Sequence, residues 1–280
     1  MKRYRMYKNL LLFIIIFLTY TSVRSQNLIV LPATNNATYC CGAYVNNGVW
    51  KEFLCHNLGA DINVNTHEVS VTSWNLIGAW IKWGRRGPST PTGNSAIDWQ
   101  TAPDNGALGF AAAPTATDPN INVANWINAS YPIPANNAWN FGSEAFPSKN
   151  TDDPCPPNYR VPTRNEWVGV AQYNTFSASG PWQVNVPSSY TNYANAIHYG
   201  NASNPRTLTL HASGNRYFSD GGLNQIGFFG YYWSSTPGLS QFGVPGAYLF
   251  QFNQGDPTGV QSQWHTTSLE FGFSIKCIRI

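Results

Sequence analysis

Asp153-Pro-Cys155-Pro-Pro-Asn-Tyr159-Arg-Val-Pro162-Thr163-Arg-Asn-Glu166-Trp167 is the stretch on which the fold turns. Thr163 followed three residues later by Glu166 is a capping box, in which each side chain accepts the other residue's free backbone N–H at a helix start. Pro162 stands just ahead of it, and Trp167, Val170 and Ala171 then fall on one face at helical spacing. A short helix is therefore expected from Thr163 onward. The same reading assigns Glu166 to capping rather than to catalysis. Asp152 and Asp153 read as turn formers, because Asx side chains close local turns.

Outward from this point the chain changes character. A second helix is expected over Ser189–Tyr199, where Tyr190, Tyr193, Ala194 and Ile197 share a face. Strand signals are densest near the end. Gly230-Tyr-Tyr-Trp233-Ser-Ser-Thr236 is aromatic and β-branched and is expected to stop at Pro237-Gly238, and Ala247–Phe252 follows after a turn-rich gap. Phe271, Phe273, Ile275 and Cys277 alternate with Gly272, Ser274 and Lys276, the period of a strand with one buried face. Arg85–Asn150 is rich in Pro, Asn, Asp, Ala and Gly, and is expected to be a loop-rich insertion; so long an irregular stretch is usually functional. Charged residues make up 10% of the chain and aromatics 15%, with 11 Trp, so the Ala, Leu, Glu and Lys runs of long helices are missing. The expected fold class is α+β: short twisted antiparallel sheets, one or two helices and long loops.

The opening segment is of another kind. Lys2, Arg3, Arg5 and Lys8 precede an uninterrupted apolar run from Leu11 to Leu18, and Thr19, Thr21 and Ser22 close it. Residues 1–25 are read as a secretory signal peptide cleaved before Gln26, since the apolar run is far shorter than the roughly 20 residues a membrane-spanning helix needs. Five of the 16 basic residues lie in this leader, so the remainder carries 11 against 13 acidic ones, a formal net charge of −2. Too little positive charge remains to neutralise a phosphate backbone, which argues against nucleic acid as a partner. Export also reframes Cys40, Cys41, Cys55, Cys155 and Cys277, which in an oxidising compartment read as disulfide partners. No Cys-x-x-Cys pair or suitably spaced His points to zinc. Cys40 and Cys41 compete for Cys55; a second disulfide such as Cys41–Cys55 is open, and the choice between the two cysteines is not fixed by the sequence.

Several blocks together resemble a known family. Cys155-Pro-Pro-Asn-Tyr159-Arg-Val-Pro-Thr163 with Glu166-Trp167, the upstream Trp50, Asn57-Leu58-Gly59 and Gly78-Ala-Trp-Ile-Lys-Trp-Gly84-Arg85, and the downstream Gly214-Asn-Arg216, Asp220-Gly221, Gly227, Gly230–Thr236 and Gly272–Cys277 are similar, in order, to the Fibrobacter succinogenes major paralogous domain (FISUMP) family. His211 departs from the Pro expected before the Gly-x-Arg block. The resemblance covers about Gly48–Ile280, which sets residues 26–47 apart as an N-terminal extension and 48–280 as the domain. It implies an exported protein of the kind frequent in Bacteroidota and Fibrobacterota, with an irregular α+β domain akin to C-type-lectin-like and formylglycine-generating-enzyme folds. It further implies a Cys155–Cys277 disulfide tying the early helix to the last strand, and it names no reaction.

The remaining chemistry is sparse. Asp61-Ile-Asn63-Val-Asn65 imitates the opening of a calcium loop without its Gly or its closing Glu, so no metal ligand is assigned and Ca²⁺ in a surface loop stays open. His56, His67, His198, His211 and His265 show no paired spacing, and no Gly-x-Ser-x-Gly elbow accompanies them. Trp99 and Trp126, with Asp104 and Asn105 nearby, are the candidate binding residues: an indole stacks on the apolar face of a sugar while amides and carboxylates meet its hydroxyls. Packing competes with binding for each loop Trp, whereas Trp167 and Trp233 are expected in the core. The expected function is a secreted or cell-surface, non-catalytic recognition domain for a glycan or a cell-envelope partner. The alternatives are an extracellular enzyme using dispersed carboxylates on polysaccharide or protein, and a structural subunit of a surface appendage.

Overall fold

In a computed structural model, the residues described are 41–60, 65–67, 76–84, 135–182, 194–218, 223–239, 243–253 and 266–280. In chain order they form β1 (Gly42–Asn46), β2 (Val49–Glu52), β3 (Ile81–Lys82) and β4 (Tyr159–Arg160), then helix α1 (Arg164–Tyr173). There follow β5 (Thr175–Ser179), β6 (Ala196–Gly200), β7 (Leu208–His211), β8 (Asn215–Arg216) and β9 (Leu223–Asn224). The last strands are β10 (Gly230–Leu239), β11 (Pro245–Phe252), β12 (Thr266–Ser268), β13 (Gly272–Phe273) and β14 (Ile278–Arg279). These make several small antiparallel sheets, ordered β1-β2, β10-β11-β12, β3-β13-β8-β9, β14-β4 and β5-β6-β7. The fold is thus mostly β with one helix among the described residues.

Helix α1 lies against β1 because Gly169 lets it. A Cβ at Gly169 would sit 1.8 Å from the carbonyl oxygen of Val45, so only a residue without a side chain permits the approach. Asn174, just past the helix, fastens the same strand by accepting from Tyr44 N–H at 3.0 Å and donating to Tyr44 O at 2.8 Å. Trp167 and Val170 point into one hydrophobic cluster with Ala43, Val45, Tyr199, Tyr232, Phe250 and Phe252, and Ala171 packs at its margin. A second cluster gathers Trp80, Trp83, Trp139, Trp233, Phe273 and Ile275.

Four buried indoles connect these parts through their N–H groups. Trp80 donates to Ser213 O (3.0 Å), Trp83 to Ser234 O (2.8 Å), Trp167 to Trp233 O (3.1 Å) and Trp233 to Ile81 O (2.7 Å). Trp167 and Trp233 are core residues, as the sequence reading has them.

Two disulfides close the frame, Cys41–Cys55 and Cys155–Cys277. They suggest an oxidising, extracellular environment, and among the described residues no helix is long and apolar enough to cross a membrane.

Three local expectations need correction. Residues 196–199 belong to strand β6 rather than to a second helix; all of β6 is buried between β5 and β7, so pairing on both edges overrides a weak helical pattern. Strand β10 does not end at Pro237 but continues to Leu239, after a register shift between Trp233 and Pro237 that accommodates a residue lacking N–H. Residues 272–278 do not alternate: both faces are buried, and β13 gives way to an irregular stretch before β14. The boundary expected at residue 48 falls in the turn of the β1–β2 hairpin, whose first strand packs on the helix. The leader, and most of the expected 85–150 insertion, lie outside the described residues.

On the chain-entropy view, replacing Cys155 and Cys277 together by Ser is expected to cost about 4–5 kcal/mol, and replacing Cys41 and Cys55 about 3 kcal/mol. Urea unfolding of the two double variants checks the order, and a smaller loss for the longer loop would contradict it.

Candidate functional site

The N-terminus of α1 leaves four backbone N–H groups without helical partners, and each finds a side chain. Thr163 N–H donates to Glu166 Oε2 (2.8 Å) and Glu166 N–H to Thr163 Oγ1 (3.3 Å), which is the capping box. Arg164 N–H donates to Thr236 Oγ1 (2.9 Å) on β10, and Asn165 N–H to Glu144 Oε2 (2.9 Å) from the preceding loop. The Thr236 hydroxyl in turn donates to Glu144 Oε1. Glu166 also accepts both ends of the Arg160 guanidinium, at 2.7 and 2.5 Å, so the buried cap carries a paired charge.

The loop that supplies Glu144 folds back on itself. Asn140 and Lys149 form an isolated antiparallel bridge, Phe141 N–H bonds Ser148 O (2.8 Å), and Asn140 Oδ1 accepts from Gly142 N–H (3.0 Å) and Ser148 N–H (2.8 Å). Gly142 is required here, since a Cβ would lie 2.1 Å from Phe146 O. Lys149 anchors the far end by donating to Asp153 Oδ1 and Cys155 O, both at 2.6 Å. Asp153 accepts from Cys155 N–H and Val161 N–H, each at 2.8 Å, which is the turn-closing role read from the sequence. Burial pushes the Asp153 carboxyl up from its usual value, against the pull of Lys149 and these two N–H groups.

Between this loop and β10 lies a pocket of about 300 Å³, at the small end of the roughly 300–1,000 Å³ typical of ligand sites. Asn136, Asn137 and Asn140 line it together with Phe141, Gly142 and Glu144 from the loop and Thr236 and Pro237 from β10. The Asn136 and Asn137 side chains and Asn140 Nδ2 make no hydrogen bond with other described residues. Phe141 is 71% exposed. The arrangement offers an apolar ring and free amide donors and acceptors around a carboxylate held in place by a helix. Among the described residues that line the pocket, none is basic and Glu144 is the only acid.

Trp99, Asp104, Asn105 and Trp126 lie outside the described residues, as do Asp61 and Asn63 of the calcium-like stretch. Asn65 accepts from His67 N–H at 3.0 Å. Sequence reasoning singled out neither Glu144 nor the pocket asparagines, although they fall in the stretch marked as loop-rich. Their only local sign is the polar and aromatic turn chemistry of Asn136-Asn137 and Asn140-Phe-Gly142.

Three of the five histidines, without pattern in the sequence, are brought together. His67 Nδ1 lies 2.8 Å and His198 Nδ1 2.9 Å from Thr209 Oγ1, and His198 Nε2 lies 2.8 Å from Ser179 Oγ. His211 is buried, with neither ring nitrogen hydrogen-bonded among the described residues. Lys276, also buried, donates to Cys55 O at 2.6 Å. Among the described residues no group of three or more His, Cys, Asp or Glu is placed to hold a metal ion. His198, His211 and Lys276 are closed to solvent, so this basic cluster is interior structure and the pocket beside α1 is the candidate site. Compared with protein-family models, curated proteins and solved structures, the chain matches none.

Glu144→Ala is expected to cost about 1 kcal/mol of stability through loss of a helix-terminal acceptor, measured by urea unfolding. Burial, followed by nearby positive groups, holds His67 and His198 down to about 4, and His211 well below its ordinary value. Because the unfolded chain takes up those protons from about pH 6.5 downward, stability is expected to fall between there and about pH 4. Burial also brings Lys276 from 10.5 down to about 7, so the native state sheds that proton first and stability is expected to rise between those two values. Unfolding midpoints across the range check both slopes.

Proposed function

We propose that this chain is an exported, non-catalytic recognition domain of FISUMP, C-type-lectin-like type, and that it binds a glycan in the pocket beside α1. The observation that carries the reading is the pocket's chemistry: the unengaged Asn136 and Asn137 amides and Asn140 Nδ2 beside the open Phe141 ring. A sugar presents hydroxyls that need such donors and acceptors, and a C–H face that packs on an aromatic ring. The disulfide from the segment before α1 to the last strands agrees with what the resemblance implies. The cysteine pairing and the signal-like leader support export.

Recognition is favoured over hydrolysis at this pocket. Glycoside cleavage ordinarily needs two facing carboxylates, whereas the described lining holds Glu144 alone, with both oxygens already accepting hydrogen bonds. An oligosaccharide array read with the purified chain is expected to give hits without turnover. Phe141→Ala is expected to weaken them roughly tenfold while leaving stability unchanged, because the ring is exposed. Hits confined to envelope proteins would replace the glycan by a protein partner, and turnover would replace the reading altogether.

A further inference from the structure

We infer that Glu144 makes this pocket selective for uncharged sugars, admitting a neutral hexose or N-acetylhexosamine ring and turning away uronic, sialylated and sulfated ones; the inference rests on the glycan reading above. Glu144 is held where it is by the fold, not by a ligand. Asn165 N–H binds Oε2 and the Thr236 hydroxyl binds Oε1, so the carboxylate cannot swing away when an anion approaches. Its position at the N-terminus of α1 also stabilises the charge.

No basic side chain stands among the described lining residues. Lys149 is paired with Asp153 at 2.6 Å, and the Arg164 guanidinium lies over the Tyr248 ring, 4.6 Å from its centroid. Recognition of carboxylated or sulfated groups usually relies on an Arg or Lys donor, and here such a group would meet a fixed negative charge instead. A neutral ring loses nothing by it, since Asn136 and Asn137 offer both donors and acceptors, and the carboxylate keeps lone pairs for a sugar hydroxyl. The pocket's size suits a single ring.

The test uses the full chain on an array of neutral, uronic, sialylated and sulfated oligosaccharides, with hits measured by calorimetry against chitobiose, cellobiose and their uronic-acid counterparts. The wild type is expected to bind neutral sugars at least about tenfold better than acidic ones. Glu144→Gln, which keeps an acceptor for Asn165 N–H, is expected to narrow that gap by about tenfold, with helix content unchanged by circular dichroism. Asn137→Lys, on an exposed residue away from the cap, is expected to narrow it independently even if the Gln variant folds poorly. A preference for acidic sugars, or a gap unmoved by both variants, overturns the inference and leaves glycan binding standing. Binding untouched by Phe141→Ala places the sugar elsewhere and overturns it too. Binding of no oligosaccharide overturns both readings.

Discussion

The structure depends on indole N–H groups that reach across from one strand to the backbone of another. Many strands are only two residues long, so their ladders leave interior carbonyls without partners. A buried carbonyl with no donor costs about 1–3 kcal/mol. Trp83 and Trp233 answer this reciprocally: the first donates to Ser234 O on β10, the second to Ile81 O on β3. Trp167 adds a third bond from the helix to Trp233 O. Each Trp fills core volume and satisfies a carbonyl at once, which Phe or Leu cannot do. Trp80, Trp83, Trp167 and Trp233 thereby acquire a physical reason.

The candidate site is an extension of that frame. Strand β10 carries Trp233 into the core and, within its register shift, carries Thr236 to the start of α1. Glu144 arrives there from the other direction and completes the cap. One wall of the pocket is therefore set by the same bonds that stabilise the helix. The unengaged amides and the Phe141 ring sit on a loop tied down at Gly142, Lys149 and Asp153. A site whose carboxylate and loop backbone are positioned in advance loses less freedom on binding.

The end of the chain joins the two disulfides to the interior. Cys277 bonds Cys155, its carbonyl accepts Leu54 N–H at 2.8 Å, and neighbouring Lys276 holds Cys55 O. Ser274 and Lys276, which the alternating pattern placed on an exposed face, are buried for this reason. Ser274 Oγ bonds Ser213 Oγ at 2.8 Å, and the Lys276 amine has carbonyl acceptors. Polar residues enter an interior when partners await them, and those partners come from segments far away in the chain.

Residues close together in sequence were legible without coordinates. Thr163 and Glu166 announce a helix start, Asp153 a turn, and Ala247–Phe252 a strand, because three or four adjacent residues complete each motif. Two of the four donors at the helix N-terminus belong to that local capping box. The other two are met by Glu144 and Thr236, 21 and 72 residues from their partners. No local pattern pairs them, and the pocket they bound was invisible for the same reason. Likewise Ile197 reads as helix by its spacing from Tyr193 and Ala194, and is strand because β5 and β7 pair with both edges of β6. Local chemistry in the sequence thus determined where the helix starts and which segment bends; the tertiary structure alone decided what meets at that helix end, because hydrogen-bond partners separated by loops are chosen by packing rather than by neighbours in the chain.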